Sequence, residues 1–151
     1  NQFLRSDYLK LIECTSESDF VNDICTELQS INTILQKSNL HIGYRVRDEI
    51  LFYLLNNKNA EDLIPQNEAF DNQLLQKSLP RIQGSSESIR KMLCDLFKIF
   101  AGDYTLKYGD SDSEKMSKVL ENNACKYPKS AAKIQMMISR FEDDGFTSYW
   151  L

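Results

Sequence analysis

Residues 16–35 read SESDFVNDICTELQSINTIL, and the spacing of their apolar side chains determines the fold class that we expect. Apolar residues recur every three or four positions, at Phe20, Ile24, Leu28, Ile31 and Leu35. This period places them along one side of an α-helix, as a stripe suited to burial. Ser16 or Ser18 can cap this helix, and Asp19 stands favourably near its positive N-terminal end.

The same period continues along the chain and predicts five more helices. We expect them at about 45–57, at 67–79, from Ser85 or Ser86 through Phe100, after the capping box Ser111–Glu114, and at 128–143. Pro128 suits a helix start and Gly145 a helix end. Residues 146–150 are suited to one short strand. The sequence therefore predicts an all-α protein, an irregular bundle of about six helices with at most one short terminal strand.

Two of these helices have a distinctive apolar pattern. The fourth helix places six apolar residues inward: Ile89, Met92, Leu93, Leu96, Phe97 and Phe100. In the second helix, Val46, Ile50, Tyr53 and Leu54 form the expected core face, while Leu51, Phe52 and Leu55 widen it. A helix with so broad an apolar surface is typically covered on two sides, so we expect the second helix to be buried on both.

Composition narrows the class of protein. Hydrophobic residues make up 42% and charged residues 26% of the chain, which is typical of a globular domain. The longest apolar run, Ile50–Leu55, is far shorter than the roughly 18 residues of a membrane span. A formal net charge of −4 argues against a surface dedicated to nucleic acid. We expect a cytoplasmic domain, and the first residue, Asn1 instead of Met, is compatible with a fragment of a longer protein.

No complete set of catalytic or metal-binding residues is present in the sequence. The four cysteines form no CxxC pair, and the single histidine, His41, has no cysteine near it, so we predict no metal site. The chain contains no GxxxxGK[ST] phosphate loop. Neighbouring carboxylates, such as Asp48–Glu49 and Asp143–Asp144, diverge around a helix and suit ion pairs better than acid–base chemistry. We therefore predict no catalytic residue.

Residues 43–50, GYRVRDEI, contain the most informative cations. Arg45 stands in the first turn of the second helix, two residues after Gly43, and Arg47 follows two residues later. The planar guanidinium suits bidentate contact with a phosphate and keeps its charge at every working pH. A local ion pair between Arg45 and Glu49, one helical turn on, is the structural alternative, and spacing alone favours it.

Residues 71–85, DNQLLQKSLPRIQGS, form a second notable stretch. Lys77 and Arg81, together with Arg90 and Lys91 beyond it, can form a basic edge for an anion or DNA. Ser85 stands where free N–H groups at a helix start can hold an anion, although serines there usually act only as caps. The aromatic residues near the end of the chain suit packing on the bundle, with a contact to a partner protein as the alternative.

Three stretches together resemble a known family: HIGYRVRDEI at 41–50, DNQLLQKSLPRIQGS at 71–85 and YPKSAAKIQMMISRFEDDGFTSYW at 127–150. In order and spacing they are similar to the C-terminal end of McrB-like AAA+ NTPases, which belong to bacterial modified-DNA restriction and defence systems. The resemblance covers roughly residues 17–150. It implies a helical lid at 16–151, which follows a linker at 1–15 from a nucleotide-binding core upstream.

The resemblance also implies a role for the arginine helix. Arg45 matches the lid arginine that senses the γ-phosphate, and Arg47 is the second choice. GTP or ATP with Mg would be held by the core, since no residue here matches the phosphate loop, the metal-binding acidic motif or the arginine finger. The implied partners are that core, neighbouring subunits of a ring, a nuclease subunit and, indirectly, DNA. Two alternatives are a stand-alone helical interaction module and a DNA-contacting adaptor that uses the Lys77–Lys91 edge.

Overall fold

The computed structural model describes residues 18–103, 106–107, 109, 112–122 and 124–150. Within these residues the chain forms six α-helices and two short strands. The helices are α1 (Ser18–Gln36), α2 (Tyr44–Asn59), α3 (Gln66–Lys77), α4 (Glu87–Ala101), α5 (Asp112–Glu121) and α6 (Pro128–Asp144). The strands are β1 (Gln83–Gly84) and β2 (Thr147–Ser148). The all-α bundle with a short terminal strand is confirmed. The proposed linker at 1–15 and the capping residues Ser16 and Ser111 lie outside the described residues.

Helices α4 and α6 form the centre of the bundle. They pack against each other, α5 packs on both, α1 lies against α4, and α3 joins α2 to α6. All five stripe residues predicted in α1 and all six predicted in α4 are buried. Burial of these two complete helical stripes is a main stabilising term of the fold, because apolar area removed from water drives folding.

Helix α2 corrects the expectation of burial on two sides. Ile50, Leu51, Leu54 and Leu55 are buried, whereas Tyr53, assigned to the core face, is 36% exposed and Phe52 is 39% exposed. At 100° per residue, the four buried positions share one face, and residues 52 and 53 lie well away from it. Helix α2 packs against α1 and α3, yet part of its broad apolar surface, at residues 52 and 53, stays partly exposed.

The terminal strand is shorter than expected and has a specific partner. Strand β2 pairs antiparallel with β1, with Gln83 opposite Ser148 and Gly84 opposite Thr147. Gly84 has φ 149°, and a Cβ at this position would lie 3.0 Å from Cγ1 of Ile89, so a larger residue fits poorly. Tyr149 continues the pairing through its N–H, which donates to the carbonyl of Ile82 at 3.3 Å. This two-stranded sheet ties the segment after α6 to the turn before α4.

Candidate functional site

The turn between α1 and α2 is held by one side chain. The amide of Asn32 donates from Nδ2 to the carbonyl of Ile42 at 2.9 Å and accepts the Ile42 N–H at 2.6 Å. The backbone adds a hydrogen bond from the N–H of Leu40 to the carbonyl of Leu35 at 3.0 Å. Because Asn32 binds both backbone groups of Ile42, it fixes the direction in which the chain enters α2.

A cleft of about 330 Å³ lies beside this turn. Its walls are the polar side of α1 and the entry to α2, and they comprise Gln29, Asn32, Gln36, His41, Ile42, Gly43 and Tyr44. Amide, imidazole and phenol groups provide both donors and acceptors there. Because these lining residues contribute no carboxylate, the cleft has no fixed negative charge that would repel an anion.

The N-terminus of α2 opens next to the cleft. Gly43 precedes the helix in an extended conformation and supplies no capping side chain, and the first turn contains no acidic residue. The first intrahelical bond there runs from the N–H of Arg47 to the carbonyl of Gly43 at 3.0 Å. The N–H groups of residues 44–46 therefore lack an intrahelical acceptor and point toward the open end of the helix.

The two candidate nucleotide-sensing arginines differ in their surroundings. Arg47 is bound locally: its guanidinium lies 3.2 Å from Oδ1 of Asp48 and stacks over the Tyr44 ring at 4.7 Å from the centroid. Arg45 is exposed, and it forms no ion pair with any carboxylate of the described chain. Of the two, Arg45 is the cation that is available to a ligand.

The local ion pair that spacing favoured for Arg45 is not formed. Glu49 instead places Oε2 at 3.0 Å from Nζ of Lys77 on α3. Both side chains are more than a third exposed, so this contact contributes little to stability. The pair partly neutralises Lys77 and leaves Arg45 without its nearest helical counter-ion.

The remaining candidates for anion or DNA contact do not form one continuous basic edge. Arg81 is exposed on the turn before β1, and Ser85 is exposed but does not cap α4. Ser86 is the cap, and its Oγ accepts the N–H of Ile89 at 3.3 Å. Arg90 turns inward, where it pairs with the fully buried Asp112 and donates to the carbonyl of Gly109 at 2.7 Å.

Sequence reasoning missed the carboxylates that organise two of the helix starts. Asp71 on α3 is buried and accepts the N–H groups of Lys129 and Ser130, each at 2.8 Å, and so caps α6. Glu142 on α6 accepts the N–H of Ser113 at 2.9 Å, near the start of α5. No local pattern could have revealed these roles, because the groups that the two carboxylates bind are far away in the chain.

Nucleophilic, metal-binding and membrane sites receive no support from the described residues. Burial, with Asp112 close by, raises the pKa of Cys94 to about 12, so this thiol stays protonated at neutral pH. The described part of the chain contains no group of three or more His, Cys, Asp or Glu side chains that could hold a metal ion. No helix among the described residues is long and apolar enough to cross a membrane.

Comparison with known proteins gives one positive result. No curated protein and no solved structure matches the chain significantly. One family model, described as Domain of unknown function (DUF8727), matches residues 2–146. Since that match covers nearly the whole sequence, the chain belongs to this family.

Proposed function

We propose that this chain is the helical lid of a McrB-like AAA+ NTPase in a DNA restriction or defence system. In this proposal the lid senses the nucleotide held by a core upstream and transmits its state to neighbouring subunits. The observation that carries the proposal is the exposed Arg45 in the uncapped first turn of α2, beside a cleft without carboxylates. The resemblance of residues 17–150 to McrB-like proteins is the reason for expecting an AAA+ nucleotide-binding core upstream.

The start of α2 suits an anion that comes from outside this chain. A cation near the positive end of a helix costs about 0.3–1 kcal/mol, and no acidic residue of the first turn offsets it. A terminal phosphate bound there would offset this cost, because its negative charge attracts both the helix end and the Arg45 guanidinium. The free N–H groups of residues 44–46 and the guanidinium of Arg45 are both donors suited to phosphate oxygens.

The mechanism is mechanical. Nucleotide in the core attracts Arg45, the lid closes, and hydrolysis releases the contact and changes the angle between subunits. The Asn32 side chain joins the entry of α2 to α1, so a pull on Arg45 is passed directly to the bundle. Phosphate cradling and Mg binding belong to the core, with GTP or ATP as the nucleotide. A motor of this kind works in the cytoplasm, in a ring with a nuclease partner.

The alternative of a DNA-contacting adaptor has weaker support. Its expected basic edge needs Lys77 and Arg90, but Lys77 pairs with Glu49 and Arg90 pairs with buried Asp112. Of the four cations assigned to that edge, only Arg81 and Lys91 are exposed without an ion pair to a described carboxylate. Two separate cations do not make the continuous basic edge that this adaptor would need.

The test is nucleotide turnover by the natural polypeptide that contains this chain. Arg45→Ala should lower turnover or nucleotide affinity about ten- to hundredfold, since a charge-assisted contact contributes about 1.5–3 kcal/mol. Arg45→Lys should recover only part of the loss, because an ammonium lacks the planar fork. Arg47→Ala is the matched control, and its effect should be smaller because Arg47 is bound to Asp48.

Three outcomes would contradict the proposal in different ways. If the natural polypeptide contains no phosphate loop, it is not an AAA+ motor, and the proposal is wrong. Normal turnover in Arg45→Ala together with reduced turnover in Arg47→Ala would show that the sensing role is assigned to the wrong arginine. Normal turnover in both variants would leave the start of α2 without a role in nucleotide sensing.

A further inference from the structure

We propose that the β1–β2 sheet and the adjoining half of α6 bind single-stranded nucleic acid, through an exposed tryptophan and the cations near it. The residues concerned, Arg81, Lys133, Tyr149 and Trp150, are called the basic-aromatic surface below. This surface is separate from the start of α2 and does not use the paired cations of the Lys77–Lys91 edge. The proposal does not depend on the lid assignment.

Tyr149 brings the members of the surface together. Nζ of Lys133 lies 4.3 Å from the centroid of the Tyr149 ring, and the Trp150 ring meets the same ring edge-on at 4.9 Å. The N–H of Tyr149 donates to the carbonyl of Ile82, so the backbone of Arg81, the residue before Ile82, lies beside this end of the β1–β2 sheet. Lys133 and the two aromatic rings therefore share one small area, and the backbone of Arg81 adjoins it.

The aromatic part of the surface is open. Trp150 is 74% exposed, the most exposed aromatic side chain in the described chain, and Phe146 nearby in sequence is 40% exposed. The edge-on contact with Tyr149 orients the indole of Trp150 while most of it stays in water. Unpaired bases stack on aromatic rings with little regard to sequence, because every base has a π-face.

The charge of the surface favours a polyanion over an apolar partner. Neither Arg81 nor Lys133 forms an ion pair with a carboxylate of the described chain. Lys129, one turn before Lys133, is half exposed and only 3.6 Å from Glu68, so its charge is partly offset. Asp143 and Asp144 set the far limit of the surface, since both stand exposed at the other end of α6.

These features predict weak, salt-sensitive binding with a preference for single strands. Neutralisation of each phosphate by a cation makes affinity depend more steeply on salt, and stacking requires a base that is not already paired. The overall net charge of −4 opposes any nucleic acid, which limits the expected binding to low ionic strength.

The experiment uses the 151-residue chain and a twelve-residue oligothymidylate, dT12. Trp150 is the only tryptophan, so its fluorescence reports on this surface alone. At low salt we expect dT12 to quench that fluorescence. A fluorescently labelled dT12 should gain anisotropy when the chain binds it. A duplex of the same length should bind more weakly. Trp150→Ala should lower the affinity about tenfold. Arg81→Gln with Lys133→Gln should reduce the slope of log affinity against log salt by about 0.7 for each phosphate that is no longer neutralised.

The control is Lys91→Gln, which removes an exposed cation on α4, beside a different cleft. Its affinity for dT12 should equal that of the unaltered chain. Absence of binding at low salt, or equal binding by all the variants, overturns the proposal. Equal affinity for duplex and single strand overturns the stacking role of Trp150. If the fluorescence instead changes with protein concentration and not with dT12, a second copy covers the surface and the proposal is wrong.

Discussion

The starts of α2 and α6 differ in what their free N–H groups meet. At α6, the Asp71 carboxylate accepts the N–H groups of Lys129 and Ser130, each at 2.8 Å. At α2, Gly43 supplies no cap and the exposed Arg45 adds a positive charge to an end that is already positive. The first arrangement is complete within the chain, whereas the second has no side-chain cap, and there we propose that an external anion binds.

The starts of α3, α4 and α5 follow the α6 arrangement more than that of α2. Ser86 caps α4, and Glu142 binds the N–H of Ser113 near the start of α5. Helix α3 has no capping side chain after Pro65, but its first turn contains the acidic residue Glu68. Among these starts, α2 combines the lack of a cap with the lack of an acidic residue, which supports an external ligand there.

The largest expected effect is at α6. Asp71→Ala should destabilise the fold by about 3 kcal/mol, because Asp71 is buried and two N–H groups lose their acceptor. Urea denaturation followed by circular dichroism measures the change in the free energy of unfolding. Asp71→Asn keeps one acceptor oxygen and should cost less. If Asp71→Ala costs less than about 0.5 kcal/mol, the start of α6 does not depend on this cap, and the contrast with α2 fails.

The second effect concerns the two asparagines that bind interhelical turns. Asn32→Ala and Asn57→Ala should each cost about 1–2 kcal/mol, since each side chain makes two hydrogen bonds to the backbone, Asn32 to Ile42 and Asn57 to Ile64. Only Asn32 positions the start of α2. Asn32→Ala should therefore also weaken binding of inorganic triphosphate, while Asn57→Ala should not. Equal weakening by both variants would show a general loss of stability instead of a local effect.

The third effect concerns Thr147, whose hydroxyl, unlike the side chains of Asn32 and Asn57, makes no hydrogen bond within the described chain. It is fully buried in β2, and its hydroxyl has no hydrogen-bond partner among the described residues. Thr147→Val keeps the shape and removes the cost of burying an unsatisfied hydroxyl, so it should stabilise the fold by about 1 kcal/mol. A thermal or urea unfolding curve measures the change. A clear loss of stability in Thr147→Val would mean that the hydroxyl has a partner in solution.

The smallest expected effect is a gain of stability when Arg45 is removed. Arg45→Ala takes a cation away from the positive end of α2 and replaces it with a better helix former, for a gain of about 0.3–1 kcal/mol at low salt. Urea denaturation at two salt concentrations measures it, and the gain should shrink as salt screens the dipole. A loss of about 1 kcal/mol or more would show that Arg45 has a structural role in the folded chain.

Periodicity predicted the helices well because burial follows the helical repeat. The complete stripes of α1 and α4 are buried as expected. Helix α2 was the exception, because apolar residues surround much of it and the sequence contains no information about which side meets a neighbour. Tyr53 was therefore assigned to the core and is 36% exposed.

The candidate site was harder to predict, because its state depends on contacts between distant segments. Spacing suggested that Glu49 would pair with Arg45, whereas in the structure Glu49 pairs with Lys77 on the next helix. The cap of α6 was invisible in the sequence, since Asp71 precedes Lys129 by 58 residues. Local pattern identified Arg45 as a candidate cation, but only the tertiary structure shows that no described carboxylate pairs with it.

Titration of the ¹⁵N-labelled chain with inorganic triphosphate, followed through the backbone amides by NMR, decides whether the start of α2 binds an anion. We predict that the N–H signals of Tyr44, Arg45 and Val46 shift with saturation, that those of Lys129 and Ser130 stay unchanged, and that Arg45→Ala abolishes most of the shift. Equal shifts at both helix starts, no shift at residues 44–46, or an undiminished shift in Arg45→Ala would contradict an anion site at the start of α2.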